Sequence, residues 1–171
     1  AIDVADPRSV DAAFRQARAL APRLHTLVHA AGVLDLGSLA TTDFEQWNRT
    51  LAINLSGPFL CCKAASDWLC DHGRIVLIGS LAGRTGGVLT GTAYAASKGG
   101  VESLTKSVAQ QLSVRGITVN CVAPGGVDTA MLARNPEKSR AAMAAATPLR
   151  RIATPREIAG VIAFLASDDA A

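Results

Sequence analysis

Tyr94 and Lys98 stand four residues apart in a stretch that reads as helix, so they share one face. A free tyrosine has a pKa of about 10, too high for easy proton exchange at neutral pH. A neighbouring ammonium favours the phenolate and lowers that value. The two can then act as a general acid/base pair, although alone they read equally well as a solvated contact on a helix surface. Ser80 ends a strand-like run beside Gly79. A hydroxyl there can donate to a carbonyl oxygen as charge develops on it. Asn54 lies just before Gly57-Pro58, which interrupts a helical pattern. A broken helix frees a carbonyl to hold water, and the amide can orient the segment.

Other clusters carry less. His25 and His29 are four apart on a strand, where four residues span roughly 13 Å, too far for one ion to bridge. Cys61, Cys62, Cys70 and Cys121 form no C-x-x-C and no zinc spacing. They read as buried or half-buried free thiols, which suits a reducing cytoplasm. Gly83, Gly86, Gly87 and Gly91 lack the G-x-G-x-x-G spacing of a phosphate loop, and no helix is expected directly after them. That segment reads as a flexible wall of a substrate cleft.

The elements that must position these residues alternate. Ala1–Val4 is β-prone. Asp6-Pro7 reads as a cap and first helical position, followed by Val10, Phe14, Ala17 and Leu20 at helical spacing. Leu24–Val28 reads as a buried strand ending in Ala30-Ala31-Gly32. Thr42-Asp43-Phe44-Glu45 reads as a capping box opening a helix that resumes from Phe59 to Leu69. Arg74–Ile78 is the next strand. A helix from about Ala93 to Ser113 carries Val101, Leu104, Val108 and Leu112 on one stripe. Gly116–Ala123 is a further strand, closed by Pro124-Gly125. Residues 126–150 read as a mobile loop with one or two short helices. Thr154-Pro155-Arg156-Glu157 caps a last helix. Apolar strands alternating with helices imply an α/β fold, a doubly wound parallel sheet with helices on both faces. Ligands of such sheets bind outside the carboxyl ends of the strands. These are near Gly32, Ser80 and Pro124.

Composition bounds the function. Apolar residues are 49% of the 171, charged residues 18% and aromatics 4%, with a net charge of +3. One domain, residues 1–171, with a sizeable core follows. The basic pI near 8.9 is the one hint of a polyanion-binding module. Without a Lys/Arg run or aromatic interleaving, no nucleic-acid partner is expected. No apolar run reaches the roughly 18 residues of a membrane helix, so no membrane partner is expected either.

Taken in order, Asn54, Ser80, Tyr94 and Lys98 resemble the catalytic tetrad of the classical short-chain dehydrogenase/reductase family. LAINLSGPF (51–59), IGSLAG (78–83), YAASK (94–98), NCVAPGGVDT (120–129) and PLRRIATPREIAGVIAFLAS (148–167) resemble its segments in the family's order. The general look is of a 3-oxoacyl-carrier-protein reductase or broad alcohol dehydrogenase. The resemblance implies a Rossmann-like fold and an NAD(P)-dependent oxidoreductase. Hydride would move between NAD or NADP and a small-molecule ketone or secondary alcohol with an apolar portion. Leu81, Val88, Leu89, Met131, Leu132 and Met143 would line that cleft. It implies that Tyr94 exchanges the proton and that Lys98 holds the nicotinamide ribose and depresses the Tyr94 pKa. Ser80 would polarise the substrate oxygen, and Asn54 would hold a relay water.

The resemblance also assigns cofactor contacts. Asp3 and Val4 would meet the adenine, and Ala30, Ala31 and Gly32 the adenosine ribose. Pro124, Gly125, Val127 and Thr129 would surround the nicotinamide. His29 and Ala30 stand where the family usually has two Asn, which removes side-chain amides from the ribose side. The family's Gly-rich loop and last strand find no counterpart, so the 171 residues are expected to be part of a longer chain, with the choice of NAD or NADP set elsewhere. A homodimer or homotetramer is implied through helices 43–69 and 93–113, with Val101, Leu104 and Val108 as candidate contacts. A cytoplasmic setting is expected. The alternative is a non-catalytic nucleotide- or partner-binding protein of the same fold, which would be expected to lack Tyr or Lys of the tetrad.

Overall fold

The computed structural model describes residues 1–87, 89–134 and 136–170. Its centre is a three-stranded parallel sheet: β1 (Leu24–His29), β2 (Leu69–Ile78) and β3 (Thr118–Val122), in the order β1-β2-β3. Parallel neighbours need crossovers, and helices supply them. Between β1 and β2 run α2 (Phe44–Leu51), a π turn (Ala52–Ser56) and α3 (Gly57–Ser66). Between β2 and β3 run the short α4 (Ala82–Thr85) and the long α5 (Thr92–Leu112). Helix α1 (Pro7–Leu20) precedes β1, and α6 (Glu137–Ala146) and α7 (Pro155–Leu165) follow β3.

Side chains alternate across a strand, so β2 serves two layers. Ile75 and Leu77 join Val119 of β3, Cys62 and Ala65 of α3 and Val101 of α5 in the main core. Arg74, on the opposite face, donates from Nε to the Ser167 carbonyl just after α7 at 3.4 Å. Helices thus cover both faces of the sheet. Leu104 and Val108 also pack against the main core. The stripe proposed for a partner subunit therefore faces the protein's own sheet, because burying it there satisfies the same apolar surface.

Two caps match their sequence signals. The Asp6 carboxylate accepts from Arg8 N at 3.0 Å, with Pro7 following. Thr154 and Glu157 form a complete capping box. Helix α2 starts one residue later than the Thr42 box implies, with Asp43 accepting from Gln46 N at 2.7 Å. Asp is the stronger cap of the two.

Other boundaries differ for physical reasons. Ala1–Val4 is no strand, because it makes no ladder with any of the three described strands and a strand needs a ladder partner. Val4 instead enters a side core with Val10 and Cys61. Leu20 is 88% exposed at the frayed end of α1. β2 begins at Leu69 rather than Arg74, pairing with Leu24 across a register shift. That shortens the preceding helix to Ser66. Gly57-Pro58 does not break the helix. Pro58 has no N–H for the Asn54 carbonyl four residues back. The turn widens instead, and Gly57 N donates to Ala52 O. Helix α5 does start directly after Gly91, against the reading of the Gly-rich loop, and α4 lies inside that loop. β3 is trimmed to Thr118–Val122, with Gly116 turning at φ 63°. The described residues of 126–150 hold α6 and a 3-10 turn. No helix among the described residues is long and apolar enough to cross a membrane.

Candidate active site

Ser80 follows the carboxyl end of β2, Tyr94 lies in the first turn of α5, and Lys98 lies one turn further on. Asn54 enters from the π turn. The Asn54 side chain is 1% exposed and ties three segments together. Its Oδ1 accepts from Val33 N at 2.8 Å, and its Nδ2 donates to Val33 O at 2.9 Å and to Ser97 Oγ at 3.2 Å. Ser97 Oγ in turn donates to the Tyr94 carbonyl at 2.7 Å. Asn54 thus locks the segment after β1 to the helix that carries Tyr94.

Lys98 is 5% exposed, and its Nζ donates to the Ile78 carbonyl at 2.7 Å. The ammonium sits 5.8 Å from the centre of the Tyr94 ring. Burial pulls the Lys98 pKa down from 10.5 to about 8. Burial also raises the Tyr94 pKa, and the neighbouring Ser80 hydroxyl offsets part of that rise. The expected lowering of Tyr94 by Lys98 is therefore not what dominates here. Desolvation of the phenol sets the direction, with the ammonium held on Ile78 O. Ser80 Oγ also accepts from Ala82 N at 3.2 Å, which fixes its direction.

The assigned cofactor residues fall into three groups. Ala30 and Ala31 are exposed at the end of β1, and Gly32 is half-buried behind them. Pro124, Gly125, Val127 and Thr129 follow β3, where Pro124 O accepts from Leu81 N at 2.9 Å. Thr129 Oγ1 donates to Val127 O at 3.4 Å. Asp3 lies apart, its Oδ1 accepting from Ala5 N at 2.9 Å. The Val4 side chain is committed to the core, which leaves only its backbone for any ligand.

These residues fit a dinucleotide. A Cβ on Gly32 would lie 3.2 Å from Asn54 Oδ1 and 3.7 Å from Lys98 Nζ, so only glycine leaves the polar groups open to an approaching sugar. Lys98 has spent one of its donors and keeps two for hydroxyls. His29 is buried at the strand end, its Nε2 without a partner among the described residues. Burial, then the Lys98 charge, lowers its pKa and keeps it neutral.

Of the apolar wall residues, Leu81 and Leu89 are exposed, Met131 and Met143 half-buried, and Leu132 buried. Val88 lies outside the described residues. Sequence reasoning missed Ser97 and Gly83. Ser97 is a small polar residue inside a helix, one position before Lys98, and that was its signal. Gly83 packs against the backbone of α5: a Cβ there would lie 2.6 Å from Gly99 N. Nothing in the sequence marks that contact.

Comparison with known proteins bears on the family and the fold. A family model described as enoyl-(acyl carrier protein) reductase matches residues 1–171. The chain is 39% identical over 173 residues to 3-oxoacyl-[acyl-carrier-protein] reductase FabG of Escherichia coli K12, covering 99% of this chain and 70% of that protein. It is 41% identical to cis-4-hydroxycyclohexanecarboxylate dehydrogenase of Sinomonas cyclohexanicum, covering 98% of this chain and 68% of the other. Among solved structures it resembles a blue fluorescent protein from a metagenomic library, in complex with NADPH. That match has a TM-score of 0.93 and 37% identity, over 99% of this chain and 68% of that one.

Proposed function

The chain belongs to the short-chain dehydrogenase/reductase family, and from that premise we propose how its residues divide the work of an NAD(P)-dependent oxidoreductase. The substrate is a ketone or secondary alcohol with an apolar portion. The observation that carries this reading is the half-buried Tyr94 flanked by the Ser80 hydroxyl and the anchored Lys98 ammonium.

The nicotinamide cofactor supplies the hydride, or accepts it in the reverse direction, when bound. Tyr94 gives its phenolic proton to the substrate oxygen during reduction, or takes it from the alcohol during oxidation. Ser80 donates to the same oxygen and stabilises the charge that develops there. Lys98 offers its two remaining N–H donors to the ribose hydroxyls and, charged, favours the phenolate. Asn54 keeps the segment after β1 in register with α5 and holds water near its own carbonyl. Ala30, Ala31 and Gly32 give the adenosine side a small-residue surface, with backbone from Asp3 and Val4 further along. Pro124, Gly125, Val127 and Thr129 border the nicotinamide. Leu81, Leu89, Met131 and Met143 favour the apolar part of the substrate.

Residues 1–171 belong to one such domain of a longer chain that works as a homodimer or homotetramer, and a reducing cytoplasm suits its four free thiols. The test is consumption of NADH and of NADPH by the full-length protein against a panel of ketones, beside Tyr94→Phe. Turnover should fall by roughly 10²–10⁴ in the variant while cofactor binding persists. Wild-type turnover retained by Tyr94→Phe would remove Tyr94 from the mechanism.

A further inference from the structure

Asp35 lies in the loop after β1, outside every motif discussed so far. It is 4% exposed. Its Oδ1 accepts from Gly37 N at 3.0 Å and from the Gln46 amide of α2. Its Oδ2 is buried without a partner among the described residues. The hydroxyls of Thr42 and Thr90 are buried and equally unpartnered. A buried carboxylate is costly unless something nearby compensates its charge.

The start of α5 is what lies nearby. Helix α5 is the longest in the chain at 21 residues, yet its cap is Gly91, which brings no side-chain acceptor. Gly91 N donates to Asp35 O at 2.7 Å, and Thr92 N donates to Gly37 O at 3.0 Å. A Cβ on Gly91 would lie 2.5 Å from Asp35 Oδ2 and 2.7 Å from Asp35 O. The space where a capping side chain of α5 would begin is therefore filled by the carboxylate of another segment. A negative charge there complements the partial positive charge of the helix start. Tyr94 stands in that same first turn.

We propose that Asp35 is a positioning residue for the catalytic helix, its buried carboxylate facing the helix start that Gly91 leaves without a side-chain cap and holding, through its charge, the first turn that carries Tyr94. This rests on Tyr94 being the acid/base of the reaction. The loop after β1 thereby reaches the catalytic helix twice, through Asn54–Val33 at Ser97 and through Asp35 at Gly91. A carboxylate held at the helix start disfavours phenolate in the same turn, so the proposal carries a readout at Tyr94. The other titratable groups around this turn are Lys98 on α5 and, through Lys98, His29 at the end of β1 and Cys121 on β3. Gln46, the contact from α2, is neutral.

The test uses Asp35→Asn and Asp35→Ala in the full-length protein. Tyr94 is the single tyrosine of these 171 residues. Its phenolate can be titrated by near-ultraviolet absorbance, taking the difference between each protein and the same protein with Tyr94→Phe. In Asp35→Asn the midpoint should fall by about half a pH unit, because a negative charge is removed. The acid limb of kcat/KM for alcohol oxidation should fall with it. In Asp35→Ala, amide exchange should quicken at Ala93–Ala95 while Val101–Thr105 keeps wild-type protection. An unchanged midpoint in Asp35→Asn, or protection lost evenly along α5 in Asp35→Ala, would overturn the proposal. A shifted midpoint with an unshifted rate profile would support the role of Asp35 and overturn that of Tyr94. Should Asp35→Asn fail to fold, Asp35→Glu moves the carboxylate without removing its charge. It should quicken exchange in the same first turn, and unaltered exchange would count against the proposal.

Discussion

Lys98 works in a place that disfavours its charge. Burial lowers its pKa from 10.5 to about 8, so at neutral pH the folded protein holds an ammonium that water would solvate better. The cost is full below about 8, shrinks as pH rises towards 10.5 and vanishes above it, because the unfolded chain binds more protons in that window. Lys98→Met should therefore raise the stability of the cofactor-free protein at pH 7 by about 2 kcal/mol while abolishing turnover. Denaturant midpoints across the pH range check this, and the advantage of the variant should fade above about pH 8. At this scale the sequence was informative where chemistry dictates residue type. Asn54, Ser80, Tyr94 and Lys98 could be proposed from sequence because an amide, a hydroxyl, a phenol and an ammonium in that order have few other uses together. Asp35 was not legible, because a loop aspartate has many uses and only the fold brings it to Gly91. Nor was the balance at Tyr94 legible, since desolvation depends on what surrounds the ring.

The elements meet at backbone-to-backbone contacts that permit no side chain. Gly83 of α4 lies against α5, where a Cβ would come within 2.6 Å of Gly99 N and 2.7 Å of the Lys98 carbonyl carbon. Backbone cannot swing aside as a flexible side chain can. Gly83→Ala should push α4 from α5, lowering stability by about 1–3 kcal/mol. It should lower kcat more than stability alone explains, because Ser80 and Lys98 sit on the two sides of that contact. Thermal unfolding and kcat, measured together, check both halves. Helices with side-chain caps at Asp6 and Thr154 were placed correctly from sequence, because the cap is a local event. The π turn was read as a break because Pro58 removes a donor, and only packing decides whether a helix then stops or widens. The start of β2 depends on Leu24 across the sheet, which lies far away in sequence.

Large apolar residues stand exposed on the outside of the helices, among them Phe59 at 48% on α3 and Val161 and Phe164 on α7. Such surface fits the proposed assembly of copies, but through outward residues such as Phe59 rather than the inward stripe of Val101, Leu104 and Val108. Phe59→Asp in the full-length protein should lower the mass measured by light scattering, while secondary structure by circular dichroism stays the same. The parallel sheet was legible as a pattern of alternating elements. Which face of a helix turns outward was not, because α5 is apolar enough to serve either side. The sheet has a further consequence. Thr26 pairs with Arg74, and Arg74 with Thr118, so no two neighbouring strands are close in the chain. Each pairing waits on a long loop closure, which makes folding slow by its topology. Of the proposed catalytic groups, Ser80 follows β2 while Asn54, Tyr94 and Lys98 ride on the two crossovers, so they meet only once both crossovers have closed. Recovered activity is then a clock for the completion of the sheet, and a partly folded chain has no reduced version of the site to offer.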